Sequence, residues 1–149
     1  MSETHANNLF IKYKKHIIKT LGKKALDEIQ IKNICKELIG TKFKGVYPVD
    51  KLPSTSGFFV INTDSSKKIN TPDAHWMAVV QTPTTLYIYD SYGRTTKRML
   101  PLIYDSTKKK IVESKHDPEQ FGHSALCGQL SISFLCVAHD LGIRQSLKI

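Results

Sequence analysis

Two β-prone runs joined by a short turn constrain the fold of this chain more than any other stretch. "HWMAVV" begins at His75, "LYIYD" ends at Asp90, and the polar stretch "QTPTT" separates them. A short, turn-rich connection between two such runs predicts an antiparallel hairpin. The midpoint falls between Thr82 and Pro83, so strands that pair without a bulge place His75 and Asp90 side by side at the open end.

Helices are predicted on both sides of the hairpin. The pattern over residues 7–40 predicts two helices interrupted near Gly22 and ended by Gly40. A third helix is predicted from Cys127 to about Leu141, with a broad apolar face. The apolar residues of the second helix recur at intervals of three to five, as Leu26, Ile29, Ile34, Leu38 and Ile39.

The remaining segments predict one further strand and several loops. "GFFVINTD", from Gly57, is typical of a strand, whereas residues 42–56 predict an ordered loop and residues 93–119 a basic segment with one or two helical turns. A length of 149 residues suits one domain. We therefore expect a single α+β domain over residues 1–149, with a small, mostly antiparallel sheet packed between helices. Its parts are a helical region at 1–40, strands within 57–92 and a helix at 127–142.

The cysteine content argues against disulfide and zinc chemistry. The three cysteines are odd in number, and their spacing matches neither a disulfide framework nor a zinc site. We expect no metal and a reducing, intracellular location. No apolar run is long enough for a membrane span, and no secretory signal is evident, so no membrane partner is expected.

Basic residues exceed acidic ones and leave a formal charge of +9. A basic surface attracts phosphate backbones, which makes DNA a candidate partner. The alternative is that these lysines are solvated residues that maintain solubility, and no nucleic-acid-binding motif decides between the two. The excess is concentrated at Lys12, Lys14, Lys15, Lys19, Lys23, Lys24 and the run Lys108, Lys109, Lys110.

Cys127 is the candidate nucleophile. A thiol attacks as thiolate, and both a helix N-terminus and a neighbouring imidazolium lower its pKa. The predicted helix supplies the first, and His75 is expected to supply the second, with Asp90 orienting the ring. The backbone N–H of Cys127 and the side chain of Gln120 are expected to form an oxyanion hole, and Gly128 to leave room for a substrate backbone.

Other interpretations of these residues stay open at this point. Cys35 and Cys136 lie on predicted apolar faces and are expected to be packing residues. Cys127 itself also fits as a buried thiol, Trp76 as a core residue and Asp90 as a turn former. Alternative bases nearer the cysteine in sequence are His116 and His123.

The strings "HWMAVV", "YDSYG" and "QFGHSALCGQ" together resemble the adenovirus proteinase (adenain) family. That family belongs to the clan that also contains the ubiquitin-like-protein-specific proteases, and its fold is unrelated to that of papain. The resemblance covers residues 75–136 and is also seen with proteinases of adenovirus-like viruses and virus-like DNA transposons. It implies His75 as general base, Asp90 as its orienter, Cys127 as nucleophile and Gln120 as oxyanion donor. Trp76 and Gly128 become candidate substrate-binding residues.

The implied function is a cysteine endopeptidase that matures viral structural precursor proteins at glycine-containing sites. The resemblance implies a location in the host nucleus or cytoplasm and in the virion, and we expect a monomer. The chemistry needs no cofactor, and stimulation by DNA or by a non-covalently bound peptide is expected. The alternatives are a deubiquitinase-like or SUMO-protease-like isopeptidase, and a non-catalytic basic module that binds DNA or capsid.

Overall fold

The computed structural model describes residues 3–63, 75–115, 118–119 and 125–149. Within these ranges the chain forms five strands in one sheet, helices on both sides of it, and two short 3₁₀ turns. The strands are β1 (Phe43–Pro48), β2 (Gly57–Asn62), β3 (Trp76–Gln81), β4 (Thr85–Tyr89) and β5 (Lys110–Glu113). The helices are α1 (Glu3–Leu21), α2 (Glu28–Leu38), α3 (Thr96–Met99), α4 (Pro101–Ser106), α5 (Cys127–Leu141) and α6 (Ile143–Ser146).

The sheet has the order β1-β2-β3-β4-β5, with the expected hairpin at its centre. The pairs β2–β3 and β3–β4 are antiparallel, but the outer pairs β1–β2 and β4–β5 are parallel. The predicted α+β class is confirmed, whereas the expectation of a mostly antiparallel sheet is wrong. The chain returns between β4 and β5 through α3 and α4, and such a crossover aligns the two strands in parallel.

Both edge strands lie in segments for which the sequence predicts no strand. β1 contains Gly45 and ends at Pro48, and β5 has only four residues, beginning at Lys110. Glycine, proline and lysine are all depleted in strands, so the local signal is weak. These segments become strands because they pair with β2 and β4.

The hairpin turns one residue later than predicted. Ala78 pairs with Tyr89, and the N–H of Thr82 donates to the carbonyl of Thr85 at 2.9 Å, which centres the turn between Pro83 and Thr84. Continued past the strand ends, this register places Asp90 opposite residue 77 rather than opposite residue 75. Because the pairing shifts by two positions, each side chain keeps its face of the sheet.

The two faces of the sheet carry separate cores. The larger core lies between the sheet and α1, α2 and α5, and the smaller one lies under α3 and α4. In α5 every residue from Cys127 to Ala138 is buried, as expected for a helix enclosed on all sides. The ring of Phe134 stacks on Tyr89 with centroids 4.5 Å apart, which joins α5 to the end of β4.

The two N-terminal helices are interrupted at Gly22, as predicted, where the backbone has φ +86°. The predicted apolar face of α2 is partly wrong, since Ile29 is 67% exposed and Ile31 is fully buried. Asp27 caps the helix by accepting from the N–H of Gln30, and the helix therefore begins at Glu28. Ile31, Ile34 and Cys35 face the core, whereas Ile29 precedes Ile34 by five residues and so lies about 140° away around the helix.

Candidate active site

His75 and Asp90 meet where β3 begins and β4 ends. His75 Nε2 lies 2.6 Å from Asp90 Oδ1, and both side chains are buried. Because the register places them diagonally rather than directly opposite, the bond joins neighbours on one face of the hairpin. The expected proximity is thus present, through a different register from the one predicted.

A tight turn after β4 surrounds the Asp90 carboxylate with donors. The N–H of Gly93 donates to the Asp90 carbonyl at 2.9 Å, and Gly93 adopts φ +66°. The turn brings Arg94 back onto the carboxylate, where its Nε and its backbone N–H both donate to Oδ2, at 2.9 and 3.1 Å. The N–H of Tyr92 donates to Oδ1 at 3.3 Å. Asp90 is therefore both the turn former and the partner of the histidine.

Arg94 is a site residue that the sequence reasoning missed. Its guanidinium lies 4.7 Å from the ring centroid of Tyr92, whose ring in turn lies 5.4 Å from that of His75. The available signal was the string "YDSYGR", in which a Gly-containing turn returns a basic residue to the acidic residue four positions earlier.

These contacts set the charge of Asp90. Burial alone raises the pKa of a carboxyl, but hydrogen bonds from His75 and Arg94 outweigh it and hold the pKa of Asp90 well below its usual range. A buried carboxylate with this many donors stays ionised, so it is available to orient and charge the imidazole.

Cys127 is the first residue of α5 and faces His75. Its Sγ accepts from the backbone N–H of Trp76 at 3.5 Å, and the imidazole of His75 is close enough to lower the pKa of the thiol. Since Nε2 of the ring is bound to Asp90, Nδ1 is the nitrogen left for sulfur. Within the described residues no side chain caps the start of α5. The first N–H groups of the helix are therefore not occupied by a described side chain.

The thiol and the imidazole shift each other's pKa in opposite directions. Burial alone would raise the pKa of Cys127, but the hydrogen bond and charge of His75 and the N–H groups of Trp76 and Gly128 lower it. Burial alone would lower the pKa of His75, but Asp90 and Cys127 raise it. Both shifts favour a thiolate–imidazolium pair.

The pKa values of the other two cysteines shift in the opposite direction. Burial raises the pKa of Cys35 and raises that of Cys136 to about 12, and both side chains are almost fully buried. Their expected role in packing is confirmed. Cys127 is therefore set apart by its contacts, because all three thiols are buried.

Hydrogen bonds from side chains to backbone carbonyls join the elements that carry the candidate active site. Ser131 on α5 donates to the carbonyl of Trp76 at 3.2 Å, and the indole N–H of Trp76 donates to the carbonyl of Leu26 at 3.0 Å. Buried Gln129 donates to the carbonyls of Gly22 and Lys24 at 3.1 and 2.8 Å. The start of β3, the start of α5 and the connection between α1 and α2 are thus joined at one place.

Gly128 packs against the side chains of Leu26 and Trp76. A Cβ at this position would lie 3.3 Å from Cδ1 of Leu26 and 3.4 Å from Cδ1 of Trp76. The expectation that its missing side chain leaves room for a substrate is wrong, because Leu26 and Trp76 fill that space. Trp76 is half-buried with its N–H already bound, so any contact with a substrate is left to the exposed part of its ring.

Several predicted residues lie outside the described ranges, among them Gln120, His116 and His123. The described residue that directly precedes Gln120 in the sequence is Glu119. Its N–H donates to the carbonyl of Ser91 at 2.9 Å. This bond attaches the chain just before residue 120 to the turn that follows Asp90.

Most of the N-terminal lysines are exposed, whereas Lys109 forms hydrogen bonds within the fold. Five of the six N-terminal lysines are exposed, in line with either interpretation of the charge. Lys109 is different, because its Nζ donates to the carbonyl of Ser54 at 2.6 Å and to Oε1 of Gln81 at 3.0 Å. It ties β5 to the loop before β2.

Two other kinds of site are absent from the described residues. No described helix is both long and apolar enough to cross a membrane. No group of three or more His, Cys, Asp or Glu side chains in those ranges is arranged to hold a metal ion.

Comparison with known proteins gives a distant likeness of fold. No protein-family model and no curated protein matches the chain. A solved structure of AvrA, in a deletion variant with IP6 and CoA, is similar with a TM-score of 0.46 and 15% identity. The match covers 97% of this chain and 62% of the AvrA chain. The likeness concerns the fold alone and carries no conclusion about activity, substrate or partner.

The low pKa of Asp90 predicts a pH dependence of stability. A carboxyl whose folded pKa is depressed contributes stability that is present above its unfolded pKa and is lost as pH falls through the folded value. We therefore expect the urea midpoint of the wild type to fall as pH drops below about 4. Asp90→Asn is expected to be less stable at pH 7 and flatter over the acid range.

Urea titrations followed by Trp76 fluorescence between pH 7 and pH 2 check this expectation. Asp105→Asn is the control, since this carboxyl is exposed. Parallel curves for the wild type and Asp90→Asn would show that the contacts of the buried carboxylate do not contribute to the acid sensitivity.

Proposed function

We propose that this chain is a cysteine endopeptidase that acts through Cys127, His75 and Asp90. One observation carries the proposal. Of three buried thiols, only Cys127 has its pKa lowered, and the imidazole that lowers it is bound to a buried carboxylate. A non-catalytic binding module has no use for a charged nucleophile held in this way.

In the proposed reaction the thiolate of Cys127 attacks the scissile carbonyl carbon. The imidazolium of His75 donates its proton to the leaving amine as the C–N bond breaks, and a thioester remains on Cys127. Water then attacks the thioester while His75 accepts its proton, which releases the carboxylic acid product and regenerates the thiolate–imidazolium pair. Asp90 holds the ring with Nδ1 toward sulfur throughout.

The developing oxyanion needs donors at the same place. The backbone N–H of Cys127, at the start of α5 where no described side chain caps the helix, is the first proposed donor. We propose the side chain of Gln120 as the second, on the strength of its position seven residues before the nucleophile in the string "QFGHSALCGQ". Trp76 is proposed to contact the substrate beside them.

The substrate proposal comes from the sequence motifs. The resemblance of residues 75–136 to adenain-type proteinases supports viral structural precursors, cleaved at glycine-containing sites during virion maturation, as the substrates. The proposed location is the host nucleus or cytoplasm and the virion, and the proposed active form is a monomer that needs no cofactor for its chemistry. The exposed lysines of α1 support DNA as a stimulating partner.

A substrate panel tests the proposal. Internally quenched peptides with a central Gly-Gly, and ubiquitin and SUMO with a C-terminal fluorophore, are incubated with the wild type and with Cys127→Ala. We expect the peptides to be cleaved by the wild type alone. Preferential release of fluorophore from ubiquitin or SUMO would replace the endopeptidase by an isopeptidase, and no cleavage of either class would contradict the proposed function.

A further inference from the structure

A basic cavity opens beside the Asp90–Arg94 pair. It has a volume of about 930 Å³ and lies on the segment that leads from the turn after β4 into α3. Its lining residues are Gly93, Arg94, Thr95, Lys97, Arg98 and Met99. The proposed reaction does not use this cavity.

The charges of the cavity are unbalanced. Among the described residues, its lining includes three cations and no carboxylate. Arg94 is already engaged, because its guanidinium binds Asp90 and lies over Tyr92. Lys97 and Arg98 are exposed, and neither has an ion pair or hydrogen bond within the described ranges. The cavity therefore presents two unpaired cations to an incoming anion.

The backbone that carries these two cations is fixed by hydrogen bonds. The N–H of Thr96 donates to Oε2 of Glu113 at 2.7 Å, and the Thr96 hydroxyl lies 2.7 Å from the hydroxyl of Tyr104. The N–H of buried Leu100 donates to the carbonyl of Thr96 at 2.9 Å. A fixed backbone reduces the entropy lost when a ligand binds, since only the two long side chains remain to be ordered.

The cavity is connected to the nucleophile through a short series of contacts. His75 lowers the pKa of the Cys127 thiol and bonds to Asp90, and Asp90 bonds to Arg94, which lines the cavity. The cavity therefore adjoins the group of side chains that sets the charge of the nucleophile.

We propose that this cavity is a substrate subsite that receives the carboxylate of an Asp or Glu side chain flanking the cleaved bond. The proposal rests on the proposed function, because it requires a peptide in the site. A peptide is favoured over nucleic acid because the cavity combines two cations with the half-buried side chain of Met99. The extended row of lysines that would follow a phosphate backbone lies on α1 instead.

Charge reversal at the cavity tests the subsite. Octapeptides with a central Gly-Gly carry a single Glu, Gln or Lys at each flanking position in turn. For the wild type we expect one position at which Glu exceeds Gln about fivefold in kcat/KM, the size expected for two exposed ion pairs. The double variant Lys97→Glu/Arg98→Glu is expected to prefer Lys at that same position. Lys12→Glu/Lys19→Glu changes the net charge equally on α1 and is expected to keep the preference for Glu.

A binding measurement separates this proposal from the proposed function. The same peptides, labelled with fluorescein, are titrated with Cys127→Ala, so a preference for Glu over Gln is measured even if the wild type cleaves nothing. Equal binding of the Glu and Gln peptides would overturn the subsite, as would equal effects of the two charge-reversal variants. It would also be overturned if Lys97→Glu/Arg98→Glu lost binding to a short DNA duplex while its peptide preference stayed unchanged.

Discussion

Cys127→Ala is expected to reduce peptide cleavage by at least about 10⁴-fold, since removing the nucleophile of a comparable triad costs about that much or more. The physical reason is that no other group in the described site has both the position and the lowered pKa for covalent attack. Initial rates with the best peptide of the substrate panel, measured at enzyme concentrations that reveal residual activity, check the expectation.

Cys136→Ala is the matched control, because it makes the same chemical change nine residues further along α5. We expect its rate to stay within about twofold of the wild type, and its stability to fall by about 1 kcal/mol through lost packing. Retained cleavage in Cys127→Ala would exclude the proposed nucleophile. Equal loss in a folded Cys136→Ala would show that the effect comes from disturbing the helix.

The central elements of this fold could be predicted because each carries its own local pattern. The hairpin, the break near Gly22 and the helix from Cys127 to Leu141 follow from turn chemistry and apolar periodicity. The position of the turn was wrong by one residue, since the sequence does not show which residues of "QTPTT" close the turn. The error moved the pairing by two positions, and therefore left His75 and Asp90 on one face.

The features that the sequence did not predict depend largely on contacts between residues that are far apart along the chain. β1 and β5 are strands because β2 and β4 offer them hydrogen bonds, and neither has a strong pattern of its own. Ile29 is exposed because it precedes Ile34 by five residues, which puts it about 140° away around the helix from the buried face. For the two edge strands, tertiary pairing outweighs the local propensity.

Site electrostatics were predicted in part. The sequence indicated an imidazole and a helix start beside Cys127, but it did not indicate Arg94, whose Nε binds Oδ2 of Asp90 while His75 binds Oδ1. It also assigned the glycine after the nucleophile to substrate space that Leu26 and Trp76 fill. The contacts of the glycine form only when separate elements pack together, whereas the Arg94 contact is local and depends on the turn after Asp90.

His75→Ala is expected to remove the low pKa of Cys127 and most of the activity with it. In the wild type burial raises this pKa, and the hydrogen bond and charge of His75 outweigh burial. Without the imidazole the burial effect remains, so the pKa of Cys127 is expected to move above the ordinary thiol value. Alkylation by iodoacetamide at pH 6, followed by intact-protein mass spectrometry, is expected to slow on the order of 10²-fold, because the thiolate fraction of a thiol with pKa about 8.5 is already below about 1% at that pH.

His139→Ala is the matched control for this experiment. His139 also bonds to a carboxylate, that of Asp140 at 3.3 Å, but it packs against Phe58, away from the nucleophile. Its removal is expected to leave the alkylation profile unchanged between pH 5 and pH 9. If His75→Ala instead reacts as fast as the wild type at pH 6, the helix start and the N–H of Trp76 are sufficient to form the thiolate. The imidazole would then be needed for proton transfer alone, and peptide cleavage would fall while alkylation did not.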